Sequence, residues 1–147
     1  MDSKVLNSLE ALCAKREYCT HDVWRKAFEK TGGNAAEADE ILQRLIADGF
    51  VDDLRYASAF AREKAALTGW GPVKISFTLK AKGIGRQTID AALQEIDAQK
   101  ASAKLEKLLE AKAGSLEGDP QKKLKLIRFA LSRGYEYREV ENAVSKY

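Results

Sequence analysis

Apolar residues recur along this chain with a period of 51 positions and no gaps. Sliding the sequence by that amount superposes Trp24, Ile75 and Leu126, then Phe28, Leu79 and Ala130, then Gly32, Gly83 and Gly134. Beyond the glycine, Ala38/Ile89/Val140, Ile41/Ala92/Ala143, Leu42/Leu93/Val144 and Leu45/Ile96/Tyr147 also align. Within each copy these four positions fall at i, i+3, i+4 and i+7, which is one face of a helix. Each copy therefore reads as a helix, a second helix closed by glycine, and a third helix. Trp24 is expected in the core, because its repeat equivalents are aliphatic. An aspartate at Leu42, Leu93 or Val144 is expected to unfold at least its own repeat.

The helix boundaries are legible as well. Gly32, Gly83 and Gly134 fit the position just past a helix, where positive φ costs glycine little. Thr20 can cap the helix holding Trp24, and Asp52 or Asp53 the helix holding Tyr56, Ala57, Phe60 and Ala61. Gly71-Pro72 and Asp119-Pro120 each place a capping residue before a proline at the first helical position. Leading helices share helical spacing rather than register, as in Val5/Leu6/Leu9/Leu12/Cys13 and Leu105/Leu108/Leu109. The stretch Ala113–Gly118 reads as a flexible connection. Strand-like alternation is absent. The pattern predicts an all-α chain of three tandem three-helix repeats, at 1–49, 50–97 and 98–147. A unit of about 50 residues buries little core alone, so stacking into an elongated, curved body follows.

Composition changes this picture little. Of 147 residues, 45% are hydrophobic and 32% charged, as in ordinary folded domains. No apolar run nears the roughly 18 residues of a membrane span, and no signal-peptide core opens the chain. A cytoplasmic protein without membrane contact is expected. The charge gradient is more telling. Net charge is −2 over 1–49, +1 over 50–97 and +4 over 98–147, which points to a polyanion or an acidic protein surface.

Candidate chemistry is sparse. There is no G-x-x-x-x-G-K-S/T phosphate loop and no H-E-x-x-H pair. Cys13 and Cys19 miss metal-ligand and redox spacing, and Cys13 shares an apolar face with Leu9 and Leu12. His21 reads as a solvated surface residue, and Asp52 and Asp53 as helix caps rather than an acid–base pair. No enzyme activity, cofactor or metal is expected. One segment points at nucleic acid. Leu79 to Leu93, with Gly83-Ile84-Gly85 and flanking Lys82 and Arg86, looks like a helix–hairpin–helix module whose amides meet a DNA phosphate. Plain helix closure by Gly83 competes with it, because Gly32-Gly33-Asn34 and Gly134-Tyr135-Glu136 keep only the first glycine.

The string Gly49-Phe50-Val51-Asp52-Asp53-Leu54-Arg55-Tyr56-Ala57 resembles a signature of the RecX family, regulators of the bacterial RecA recombinase. Gly69-Trp70-Gly71-Pro72-Val73-Lys74-Ile75 and Leu79-Lys80-Ala81-Lys82-Gly83-Ile84 support it. Upstream, Leu12 with Arg16-Glu17-Tyr18-Cys19-Thr20 looks like that family's first-repeat signature, with Cys19 where serine is usual. The resemblance spans nearly the whole chain. It implies a non-enzymatic modulator that lodges in the groove of the RecA–single-stranded-DNA filament and restrains growth, ATP hydrolysis, strand exchange and co-protease activity. It further implies a monomer whose partner is that filament, with a single-stranded-DNA contact compatible with the basic residues.

The residues expected to meet such a partner are mostly basic. Arg55 matches the family string, with an internal salt bridge to Asp52 or another carboxylate as the competing role. Trp70, in a glycine-rich loop, is either junction packing or an interface anchor. Lys74 and Lys125 are repeat equivalents, as are Lys82 and Arg133. Lys122, Lys123 and Arg128 extend that stripe in the last repeat, and Arg86 extends it beside Gly85. A solvated face is the competing reading for each.

Overall fold

Nine α-helices and no strand make up the computed structural model, which describes residues 1–147 throughout. They are α1 (Ser3–Lys15), α2 (Thr20–Lys30), α3 (Ala35–Ala47), α4 (Asp53–Glu63), α5 (Pro72–Ala81), α6 (Arg86–Gln94), α7 (Ala98–Ser115), α8 (Lys122–Ser132) and α9 (Tyr137–Val144). One turn of π-helix, Lys64–Thr68, extends α4. Three helices pack around each of three apolar clusters. Leu9, Val23, Ile41 and Leu45 centre the first, Ala57, Ala61, Ile75, Leu79 and Ile89 the second, and Leu105, Leu109, Leu126, Val140 and Val144 the third.

Neighbouring clusters borrow from each other. Val51, just before α4, is buried in the first cluster, and Cys19, just before α2, is buried in the second. The solvent-accessible surface is 8957 Å². A compact monomer of this mass would expose about 7,500 Å². The excess is what an extended stack of small units leaves uncovered. No helix is long and apolar enough to cross a membrane.

The glycines close their helices as the spacing predicts. Gly32, Gly83 and Gly134 have φ of 71°, 78° and 90°. In each repeat the residue after this glycine donates its amide back to the carbonyl five residues earlier: Gly33 to Phe28, Ile84 to Leu79, Tyr135 to Ala130. The third-helix faces also appear as expected at the first position, where Ala38, Ile89 and Val140 are all buried.

Four local expectations are corrected. Trp24 is half-buried rather than core. In α2 the inward residues are Val23 and Ala27, one position earlier, so Trp24 stacks on Phe28 at 5.0 Å and donates its indole N–H to Asp39 at 2.6 Å. Thr20 does not cap α2. Cys19 occupies the cap position, and Asp53 of α4 supplies the carboxylate, accepting from the Thr20 amide at 2.8 Å and hydroxyl at 2.9 Å. Asp52 meanwhile caps α4 by accepting from the Arg55 amide. Of two adjacent aspartates, one caps its own helix and the other caps a helix of the preceding repeat.

The remaining two concern the third repeat. Helix α7 runs through Gly114 to Ser115, so the expected flexible connection begins later, at Leu116. Helix α8 starts at Lys122 rather than Pro120, because Asp119 takes the Gln121 amide at 2.8 Å and holds Pro120 and Gln121 in a turn.

Repeats two and three are joined backbone to backbone. The Gly71 amide donates to the Arg133 carbonyl at 2.7 Å, and the Val73 amide to the Gly134 carbonyl at 2.9 Å. Side chains have no room here. A Cβ on Gly71 would lie 2.5 Å from Tyr135 Cα, and one on Gly134 would lie 2.6 Å from the Lys74 amide nitrogen. Tyr135 is 3% exposed beside this clasp and its hydroxyl has no partner, so burial, reinforced by Glu139, pushes its pKa up to about 12.

Candidate functional site

The basic residues singled out in the sequence fall into three settings. The first is the joint between repeats one and two. Arg55 donates its Nε to Glu17 at 2.5 Å and its Nη2 to the carbonyls of Gly49 and Phe50 at 3.0 and 3.3 Å. Its guanidinium thereby fastens the end of α1 to the start of α4. Glu17, rather than Asp52, is the partner, and a fork with several donors explains why arginine stands there.

Lys82 is the other tie at this joint. Its ammonium lies 2.7 Å from Asp22 on α2, across 60 positions of sequence. Burial would raise the Asp22 pKa, but the hydrogen bond and charge of Lys82 reverse this and hold it below the ordinary carboxylate value. The same hydrogen bond raises the Lys82 pKa. A depressed carboxylate contributes stability above its unfolded pKa and loses it as pH falls through the folded one. A raised ammonium contributes below about pH 10.4 and loses it in stronger alkali. Both side chains are partly exposed, at 35% and 24%. Lys82→Met should therefore cost no more than about 1 kcal/mol at pH 7. Urea melts should show that difference shrinking as pH falls below the ordinary aspartate value of about 3.9. A difference that persists in acid would assign the cost to packing instead.

The second setting is α8. Lys125 is held by Asp119 at 2.6 Å and Lys122 lies 3.7 Å from Glu117. Lys123 and Arg128 are exposed and make no ion pair. The stripe drawn from the sequence is thus uneven: two lysines satisfy local carboxylates and two cations face solvent. Arg86 stands apart on α6, fully in solvent with only a loose 3.9 Å approach to Asp90.

The third setting surrounds the backbone clasp. Trp70 lies half-buried with two ammonium groups against its ring, Lys74 at 4.5 Å and Lys64 at 4.9 Å from the ring centre. Phe60 meets it edge-on at 6.1 Å, and Tyr56 stacks on Phe60 at 5.9 Å. On the other side, Arg133 donates to the Thr68 carbonyl at 3.4 Å and sits over Phe129, with Lys112 on the same ring. Trp70, Lys74 and Arg133 are therefore brought together, whereas Arg55, Lys82 and Arg86 are not among them. Lys64, Phe60, Lys112 and Phe129 were missed by the repeat comparison. Their signal lay in i, i+4 spacing: Tyr56, Phe60 and Lys64 share one side of a helix, as do Phe129 and Arg133.

The grooves are open and mixed in charge. One of about 380 Å³ is lined by Arg16, Glu17, Tyr56, Phe60, Glu63 and Lys64. Another of about 670 Å³ has Arg16, Tyr18, Trp24 and Lys26 among its walls. Both cysteines are buried thiols whose pKa burial raises, and no three His, Cys, Asp or Glu side chains converge. In the Gly83-Ile84-Gly85 turn only the Gly85 amide lacks a backbone acceptor. The Gly83 and Ile84 amides already donate to Lys80 and Leu79, in the closure found in every repeat.

Comparison with known proteins gives these residues a setting. Residues 52–93 match the family model described as RecX, second three-helix domain. The chain is 35% identical over 127 residues to the regulatory protein RecX of Pseudomonas savastanoi pv. phaseolicola, spanning 84% of this chain and 79% of that one. It is 30% identical over 135 residues to that of Pseudomonas entomophila, spanning 91% and 85%. Among solved structures, RecX from Lactobacillus salivarius superposes with a TM-score of 0.84 at 22% identity, covering 98% of this chain and 94% of that one. A second crystal structure of regulatory protein RecX gives 0.86 at 20% identity, covering 99% and 71%. These two bear on the fold. The sequence relation runs through all three repeats at a level that settles descent, and the chain belongs to the RecX family of regulatory proteins.

Proposed function

We propose that this protein binds the filament that the RecA recombinase forms on single-stranded DNA and lowers its ATPase, strand-exchange and co-protease activities without catalysing a reaction itself. The observation that carries this reading is the extent of the family relation, which covers every repeat rather than one module. The shape supports it. An extended stack of helical units offers a long surface suited to spanning several subunits of a polymer. The uneven charge supports it too, since positive charge accumulates toward the third repeat, where Lys123 and Arg128 stand unpaired.

The test is a titration into the single-stranded-DNA-dependent ATPase of a bacterial recombinase. Falling turnover, saturating at less than one copy per recombinase subunit, is the expected result. A Lys123→Glu/Arg128→Glu variant should keep the parent's melting temperature, because neither side chain makes an ion pair. It should need roughly 10-fold more protein for half-inhibition, as expected when two interfacial charges are reversed. Turnover unchanged at saturating protein, with no filament binding, would overturn the reading.

A further inference from the structure

The ring ladder of the second repeat has a property the filament reading does not use. Lys64, Lys74, Lys112 and Arg133 make no ion pair, although seven other lysines and arginines on this surface do. Each of the four lies over an aromatic ring, with its charge 4.5–5.6 Å from a ring centre. A cation resting on a half-buried ring at the surface is held only weakly. A phosphate competes well for such a cation, and once it leaves the ring face is open. Tyr56, Phe60 and Trp70 have their inner edges packed on the second core, which fixes their spacing without hiding them.

We propose that Tyr56, Phe60 and Trp70, with Lys64 and Lys74, form a base-stacking site for single-stranded DNA, continued across the clasp by Phe129, Lys112 and Arg133. Three rings in series with cations over them offer aromatic faces to bases and positive charge to phosphates. Duplex DNA would use the cations but keep its bases stacked inside. An acidic protein segment would use the cations and leave the rings idle. Glu17 and Glu63 also line the groove, but Glu17 is held by Arg55 and Glu63 lies at the exposed rim. The two carboxylates make this a weak site in isolation, suited to DNA already presented by a filament. For that setting the inference rests on the proposed function; the contact itself is tested without the recombinase.

The experiment compares a labelled oligo(dT), an abasic sugar–phosphate oligomer of equal length and a hairpin duplex, by anisotropy at low salt. The protein should bind oligo(dT) about 10-fold more tightly than the abasic oligomer, with quenching of tryptophan emission. Trp70→Leu should bind oligo(dT) about 10-fold more weakly, bind the abasic oligomer as the parent does, and show little of the quenching. Lys64→Ala/Lys74→Ala, which leaves the core intact, should lower the salt slope by about 1.4, or 0.7 for each single-strand phosphate that is no longer neutralised. This second variant keeps the test decisive if Trp70→Leu is poorly folded. Equal affinity for oligo(dT) and the abasic oligomer, preference for the duplex, or a folded Trp70→Leu that keeps oligo(dT) binding would each overturn the site. If the oligonucleotide pattern appears while the recombinase ATPase is untouched, the site stands and the filament reading fails.

Discussion

Gly134→Ala is expected to loosen the third repeat from the second and to lower the melting temperature by on the order of 10 °C. Two costs combine. Alanine at φ of 90° pays about 1–2 kcal/mol of backbone strain. Its Cβ would also press on the Lys74 backbone, 2.6 Å from the amide nitrogen, and nothing there is a flexible side-chain end. Relief requires the two segments of the clasp to part, which breaks the bonds from Gly71 to Arg133 and from Val73 to Gly134, each worth about 1 kcal/mol. The total is about 3–4 kcal/mol, and for a chain of this size each kcal/mol moves the midpoint by about 4 °C.

Two glycines give internal controls. Gly83→Ala has the same positive φ but meets no atom within 4 Å, so only the strain should register. Gly71→Ala has an ordinary φ of −85° and meets the same wall from the other side, so only the clash should register. Combining Gly71→Ala with Gly134→Ala should cost less than the sum, because the first already opens the clasp. If Gly134→Ala melts like Gly83→Ala, the clasp does not hold the repeats together.

Much of this architecture was legible because it rests on local chemistry. Periodic apolar faces, proline at a first helical turn and glycine past a helix end each act within a few residues. The misreadings mark where distant partners decide. Asp53 caps α2 rather than its own helix because the stacking of repeats brings α2 to it, which no spacing rule encodes. Trp24 turns outward because Cys19 is drawn into the second core, so α2 enters its own core through Val23 and Ala27. The basic stripe suffered most. Repeat equivalence finds the lysines but not their carboxylates, and Asp22 and Asp119 remove Lys82 and Lys125 from the free set. Of the predicted cations left over, Lys74 and Arg133 meet aromatic rings at a joint that only the fold creates, while Lys123 and Arg128 face solvent.

The same distinction sharpens the expectation for the third-helix faces. Ile41, Ile89 and Val144 are at most 2% exposed, whereas Leu42 and Leu93 are only half-buried. An aspartate at a buried position has neither water nor a cation to receive it, and costs several kcal/mol, comparable with the stability of the module itself. At Leu42 or Leu93 the carboxylate can turn toward solvent, and the cost falls to that of the missing apolar side chain, about 1–2 kcal/mol. Ile89→Asp should therefore unfold the second repeat at 25 °C, while Leu93→Asp on the same helix should melt cooperatively at a reduced temperature. The pH response carries the sign. Burial raises the folded-state pKa of the new carboxyl above its unfolded value. Its penalty is then small below about pH 3.9 and grows as pH rises toward the folded pKa. Helical signal that Ile89→Asp lacks at pH 7 should return in part at pH 4, whereas any deficit in Leu93→Asp should not depend on pH in this way. Equal melting of Ile89→Asp and Leu93→Asp at pH 7 would show that this face is not the one packed against the core.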